Sequence, residues 1–288
     1  MSLVVAVSTP EGPRIVSDTR VSDPGQRHSY KTGTLKAVVL RRDLTLCFSG
    51  QVAGGLEGIR RSAADVYAGG SIEDLISRLR TQSEALPVEF LVAEEEQGGL
   101  TRIRDGEVED GLQTTWIGDQ AAFERFQRAR RSLDEHQLEA TLMAGLPRGA
   151  RAMSRLQRAM KAVIDDPAVE SVDDFCVGVA LGRGGFEYLA SFFIHVGRDI
   201  QVQPGDDLVN KMAQPVEEGG FAVSVVEPAE SGTPALGLSF PRARLGMLYL
   251  PLRYDEAQVI RDVSPNDYAR TVMERFGVAM KDPPLRHA

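Results

Sequence analysis

Ser2 stands directly behind the initiator methionine. Removal of that methionine is expected when the second residue is small. It would give one residue both a hydroxyl and a free α-amine. An α-amine has an unperturbed pKa of roughly 7.7–8.0, close to the optimum for a base near neutral pH. It can take the hydroxyl proton directly or through one water, and so activate the serine. The bland alternative is an ordinary serine behind a retained or acetylated methionine, with no free amine. Other residues offer less chemistry. His28, His136, His195 and His287 show no metal-ligand spacing, so no zinc site is expected. Ser29 and Ser49 lack the Gly-x-Ser-x-Gly context of a nucleophile elbow. Gly182-Arg183-Gly184-Gly185 joins two strand-like runs and opens no helix, which makes it a turn and not a phosphate cradle. Glu94-Glu95-Glu96 reads as a solvated turn. No cofactor and no metal are expected.

The elements that would position Ser2 begin with a hairpin. Residues 3–7 are apolar and largely β-branched, residues 9–13 are a Pro/Gly turn, and residues 14–18 return. A polar loop covers 22–33. A second hairpin uses 35–40 and 44–49 around Arg41-Arg42-Asp43. Both hairpins are near-continuously apolar, as in strands covered on both faces. The period then changes: Val52, Leu56, Ile59, Ala63 and Val66 mark one helical face. Ser71 is placed to cap a second helix carrying Ile72, Leu75, Ile76 and Leu79. Strands return at 88–93, 100–104 and 114–117. A helical stretch from about 120 to 164 is split by the capping box Ser132-Leu133-Asp134-Glu135 and again by Leu146-Pro147-Arg148-Gly149. Met153, Leu156, Met160, Val163 and Ile164 share a face there and read as core filler. A third hairpin is expected from 174–181 and 186–196. Beyond it come strand-like runs at 221–226, 235–240 and 245–252, then a helix opened by Ser264-Pro265. The apolar run at 245–252 needs burial against a core or a neighbour.

A length of 288 residues allows one large domain or two ordinary ones. Lys and Arg number 33 against 41 Asp and Glu, a net charge of −8. That balance argues against nucleic acid, which needs a basic footprint, and against docking on anionic lipid. No apolar run is long enough for a transmembrane helix, and no signal peptide is visible. Cys47 and Cys176 both fall in apolar runs. They read as buried, reduced thiols of a cytosolic protein and not as a disulfide or metal pair.

The order of elements up to about residue 200 resembles the proteasome β-subunit family of N-terminal-nucleophile hydrolases. The resemblance rests on spacing. Asp18, in Ser17-Asp18-Thr19-Arg20, lies sixteen residues after Ser2. Lys36 opens the third strand, two residues later than the family spacing. Ser49-Gly50 follows fourteen residues on, ahead of an amphipathic helix. Phe90-Leu91-Val92-Ala93, and Ile117-Gly118 before Ala121-Ala122, resemble the family's middle strands and next helix. The resemblance implies Ser2 as nucleophile, and Lys36 as the cation that lowers the pKa of its amine and hydroxyl. Asp18 would hold Lys36, and the Gly50 amide would meet the oxyanion. Each has a plainer reading. Asp18 and Arg20 would serve as a structural ion pair, and Lys36 as a solvated strand residue with Lys31 as its competitor. Gly50 would serve only the turn into the helix.

The sequence also departs from the family. Asp119 stands where one further serine is expected. The second family aspartate is Asp174, with Asp173 as the alternative, and the serine three residues after it is Val177. Serine in place of threonine also loses a β-methyl that restricts the rotamer. The resulting expectation is an α+β protein: a four-layer αββα sandwich over residues 2–200 with a C-terminal extension over 201–288. Its function would be cytoplasmic cleavage of a peptide or small amide through an acyl-enzyme. The resemblance further implies a homo-oligomer in rings or a related closed assembly, a possible unfoldase partner, and a kinship near the bacterial ancestral β-subunit branch. The alternative is a catalytically silent proteasome-like subunit acting as an assembly or binding module.

Overall fold

Runs of Val, Ile, Leu and Ala favour extended backbone where side chains pack on a pleated surface, and such runs supply most of the strands. The computed structural model describes residues 2–19, 34–95, 99–132, 148–166, 168–172, 175–196, 221–230, 233–241 and 244–281. Within them lie three antiparallel sheets and five helices, a mixed α+β architecture. The chain divides into two compact units, Met1–Glu187 and Tyr188–Ala288.

The first unit begins with β1 (Leu3–Thr9) and β2 (Gly12–Ser17), paired as the first hairpin. Next come β3 (Ala37–Arg41), β4 (Leu44–Gly50), α1 (Val52–Tyr67) and α2 (Ile72–Ala85). They are followed by β5 (Val88–Glu94), β6 (Leu100–Arg104), β7 (Glu107–Glu109), β8 (Thr114–Gly118), α3 (Gln120–Ser132) and α4 (Arg148–Ile164). β9 (Val177–Gly182) and β10 (Gly185–Tyr188) complete it. One sheet has the order β10-β9-β2-β1-β8 and the other β3-β4-β5-β6-β7. Helices α1 and α2 lie against β3–β7, whereas α3 and α4 lie against β1, β2 and β9. Strands of the two sheets also meet: β1 and β8 approach β4 and β6, and β2 and β9 approach β3. Leu3, Val4, Ile15 and Val16 on one sheet, and Leu46, Phe48 and Phe90 on the other, are fully or almost fully buried.

The helix signals hold in detail. Ser71 caps α2 through its hydroxyl, which accepts from the Asp74 amide. Of the face predicted on α1, Ile59, Ala63 and Val66 are buried, whereas Val52 and Leu56 are half-buried. Gly54, Gly55 and Gly58 add to that face, because a Cβ on Gly55 would run into the Phe48 ring. Met153, Leu156, Met160 and Val163 are buried along α4. The proposed capping box at 132–135 extends outside the described residues, the polar loop at 22–33 lies wholly outside them, and so do residues 146 and 147 of the split at 146–149.

The third hairpin differs from its sequence reading. Residues 186–196 form two strands in two sheets. β10 joins β9, whereas β11 (Ser191–Val196) pairs with β12 (Phe221–Pro228). Leu189 and Ala190 lie between them outside any strand. The first compact unit ends at Glu187, within β10.

In the second unit β11 and β12 continue into β13 (Leu236–Phe240), β14 (Leu245–Leu250) and β15 (Arg253–Arg261), a meander with neighbours in chain order. Helix α5 (Pro265–Phe276) lies against β13. Ser264 caps α5 by accepting from the Asp267 amide, and Pro265 occupies its first turn. The core comprises Ala235, Leu248, Ile260, Tyr268, Val272, Val278 and Met280. Tyr268, fully buried, donates its hydroxyl to the Met247 carbonyl at 2.7 Å. The apolar run at 245–252 is buried at Met247, Leu248 and Tyr249, while Leu252 turns out to solvent. β15 carries too many polar residues to have been read as a strand, and pairing with β14 overrides that composition.

Candidate active site

Antiparallel register gathers the residues of interest at one end of each sheet in the first unit. In one sheet Leu3 sits opposite Gly118, Val4 opposite Ser17, and Ser17 opposite Val177. The start of β1 therefore meets the ends of β2 and β8, and β2 ends beside the start of β9. In the other sheet Gly50 sits opposite Val88 and Ala37 opposite Cys47, so β4 ends beside the starts of β3 and β5.

Side chains join these two ends. Lys36 Nζ donates to Asp18 Oδ2 at 2.8 Å, and the Leu3 amide donates to Asp18 Oδ1 at 3.0 Å. One carboxylate thus holds both the lysine and the backbone directly after Ser2. Ser2 Oγ and Ser49 Oγ share a hydrogen bond of 2.6 Å. Ser2 is 3% exposed, Lys36 2%, Ser49 1% and Asp18 0%. An isolated ammonium or carboxylate at such depth would neutralise; a close, hydrogen-bonded pair keeps both charged. Lys36 is therefore not the solvated strand residue of the plainer reading.

The Ser2 carbonyl accepts from the Asp119 amide at 2.8 Å, which fixes the entry into β1. The Asp119 carboxylate is turned elsewhere: its Oδ1 accepts from the Ala122 amide at 3.0 Å, at the start of α3. Val177 is buried at the start of β9 and brings no hydroxyl. Gly50 is exposed and has φ of +98°, a conformation in which a Cβ would strike the Pro87 carbonyl. Asp174, its alternative Asp173, and Arg20 and Lys31 lie outside the described residues. Thr19, buried next to Asp18, accepts from the Phe175 amide through Oγ1 at 3.3 Å.

Three further residues shape the site. Glu89, opposite Ser49 in the β4–β5 ladder, accepts from the Gly118 amide at 2.8 Å. Arg104 clamps that carboxylate, with Nε at 2.7 Å and Nη2 at 3.0 Å. The Arg104 guanidinium lies 4.8 Å from the centre of the Trp116 ring, which stacks on Phe123. No motif marks Glu89; only its place at the start of β5, opposite a site serine, would have found it. Ser49 carries a sequence signal as the small residue before Gly50, but its contact with Ser2 spans 47 positions.

Cys176 cannot compete as nucleophile. Burial pushes its thiol well above the ordinary range, and the Asp18 carboxylate adds to the effect. Both cysteines are buried and free. Among the described residues no group of three or more His, Cys, Asp or Glu is placed to hold a metal ion, and no helix is long and apolar enough to cross a membrane. No family model matches the chain, and neither does any curated protein.

Proposed function

We propose that this protein is an N-terminal-serine hydrolase related to the proteasome β-subunits, cleaving amide bonds through an acyl-enzyme. The single observation that carries the reading is the buried Asp18 carboxylate, bonded at once to Lys36 Nζ and to the amide following Ser2. In this reading the two sheets of the first unit and their helices form the inner and outer layers of an αββα sandwich.

Loss of Met1 frees the Ser2 amine. Ser2 Oγ then attacks the substrate carbonyl carbon as its proton passes to that amine. The carbonyl electrons move to oxygen, which the Gly50 amide receives; such a donor is typically worth about 3 kcal/mol. On collapse the carbon–nitrogen bond breaks, and the leaving amine takes the proton held by the Ser2 amine. Water then adds to the Ser2 ester, its proton again moving to the amine. The ester bond breaks as the amine returns that proton to Ser2 Oγ, which releases the acid and restores Ser2. Lys36, kept cationic by Asp18, favours the neutral amine and the developing alkoxide. The substrate class is a peptide or another amide of modest size. A cytoplasmic homo-oligomer, in rings or a related closed assembly and served by an unfoldase, completes the proposal.

Intact-mass measurement on native protein, followed by labelling with a β-lactone, tests the mechanism. The reading requires loss of the methionine mass and a covalent adduct on Ser2 that Ser2→Ala abolishes. Retained Met1 removes the free amine and with it the mechanism. Processed protein that never labels favours the second reading, a silent subunit acting as an assembly or binding module. That reading draws on Val177, and on an Asp119 carboxylate committed to the start of α3.

A further inference from the structure

We infer that Ser49 is a catalytic residue: its hydroxyl donates to Ser2 Oγ and stabilises the alkoxide that forms there during attack. The inference rests on the N-terminal-serine reading above. Three observations and one proton balance carry it.

The two hydroxyl oxygens are 2.6 Å apart, at the short end for an O–H···O bond, and both residues are buried. Water competes poorly for a bond at that depth. Second, both partners are fixed from the backbone. Ser49 is laddered to Glu89 on β5, and Ser2 is held by its carbonyl on the Asp119 amide and by Leu3 opposite Gly118. Third, Gly118 leaves the gap in which they meet. A Cβ there would lie 2.7 Å from Ser49 Oγ and overlap the Ser2 carbonyl oxygen. The Gly118 amide donates to Glu89, whose carboxylate Arg104 holds in turn. Fourth, the proton accounting assigns the donor. Ser2 must give its own proton to the α-amine, so the hydrogen in the Ser2–Ser49 bond belongs to Ser49. It stays on Ser49 throughout, and no proton is gained or lost by this residue.

The test compares inactivation by a β-lactone across Ser49 variants of the processed full-length protein. Ser49→Ala should keep the inhibition constant KI near wild type, with a melting temperature lowered modestly by the loss of one buried hydrogen bond. Its limiting rate kinact should fall about 10- to 100-fold, as for loss of a hydrogen bond to a charged group. Ser49→Thr, which keeps the hydroxyl, should recover most of that rate. Should Ser49→Ala fail to fold, Ser49→Cys replaces it, and its weak S–H donor should give an intermediate rate. Wild-type kinact in Ser49→Ala, or in Ser49→Cys where it is the substitute, overturns the inference and leaves the N-terminal-serine reading standing, provided wild type labels at Ser2. Processed wild-type protein that never labels overturns both.

Discussion

Lys36 and Asp18 form an ion pair with almost no solvent exposure, Nζ to Oδ2 at 2.8 Å, and Asp18 spends its other oxygen on the Leu3 amide. Eighteen positions separate the partners; Asp18 directly follows β2 and Lys36 directly precedes β3, strands of different sheets of the first unit. Coulomb attraction alone does not make such a pair stabilising, because both ions have left water. Breaking it from one side is the severe change.

Lys36→Met or Asp18→Asn alone should each lower unfolding free energy by about 3–5 kcal/mol, since each strands a buried partner. The double variant should be more stable than the two single effects added together. Urea unfolding of the four proteins gives the coupling directly. Additive losses would mean that the pair is not energetically linked. All three variants should label at Ser2 far more slowly than wild type.

Gly118→Ala should damage stability and site together. Gly118 has φ of +108°, and the added methyl would overlap the Ser2 carbonyl oxygen. A loss of more than about 1 kcal/mol is expected, the ordinary range for strain at such a backbone position. β-Lactone labelling should fall as well. A melting curve and a labelling rate that both match wild type would contradict this placement of β8 against β1.

Tyr268→Phe removes the buried donor to the Met247 carbonyl while leaving the ring in place. Loss of one buried hydrogen bond costs about 0.5–1.5 kcal/mol. Thermal unfolding should show that loss, and Tyr268→Leu should exceed it because ring volume also goes.

Alkaline pH should destabilise the first unit through its thiols. Burial raises the folded pKa of both Cys47 and Cys176 above their ordinary value of 9.0. Their contribution is whole below pH 9 and is lost as pH climbs toward the folded values, because the unfolded chain releases protons first. Each thiol should add roughly 1.4 kcal/mol of loss in all between pH 8 and 10, the slope steepening above pH 9. Urea midpoints taken between pH 8 and 10 check this. The slope should flatten in Cys47→Ala and again in Cys47→Ala/Cys176→Ala; an unchanged slope would rule out this source.

Local signals were legible where they depend on neighbours in the chain. Turn residues 9–13 mark the first hairpin, the spacing from Val52 to Val66 marks α1, and Ser71 and Ser264 mark helix starts, all as found. Asp18 and Lys36 were legible as candidates through their distance from Ser2, and their contact is present. What was not legible depends on which strand ends meet. Residues 186–196 look like one strand because alternation describes a strand's faces and not its partner. β15 was hidden by polar composition, since an outward face carries no apolar signal. Ser49 and Glu89 were missed because their importance arises only when β4 and β5 are laddered and Gly118 is brought against them.

The break after β10 has a practical side. Strand pairing stops at Tyr188 and resumes at Ser191 in a different sheet, and along the chain Leu189 and Ala190 link β10 to β11. A peptide inserted between them, or a protease cut there, would sever no rung of any sheet. That dipeptide is accordingly the natural place to splice in a tag or a cleavable linker.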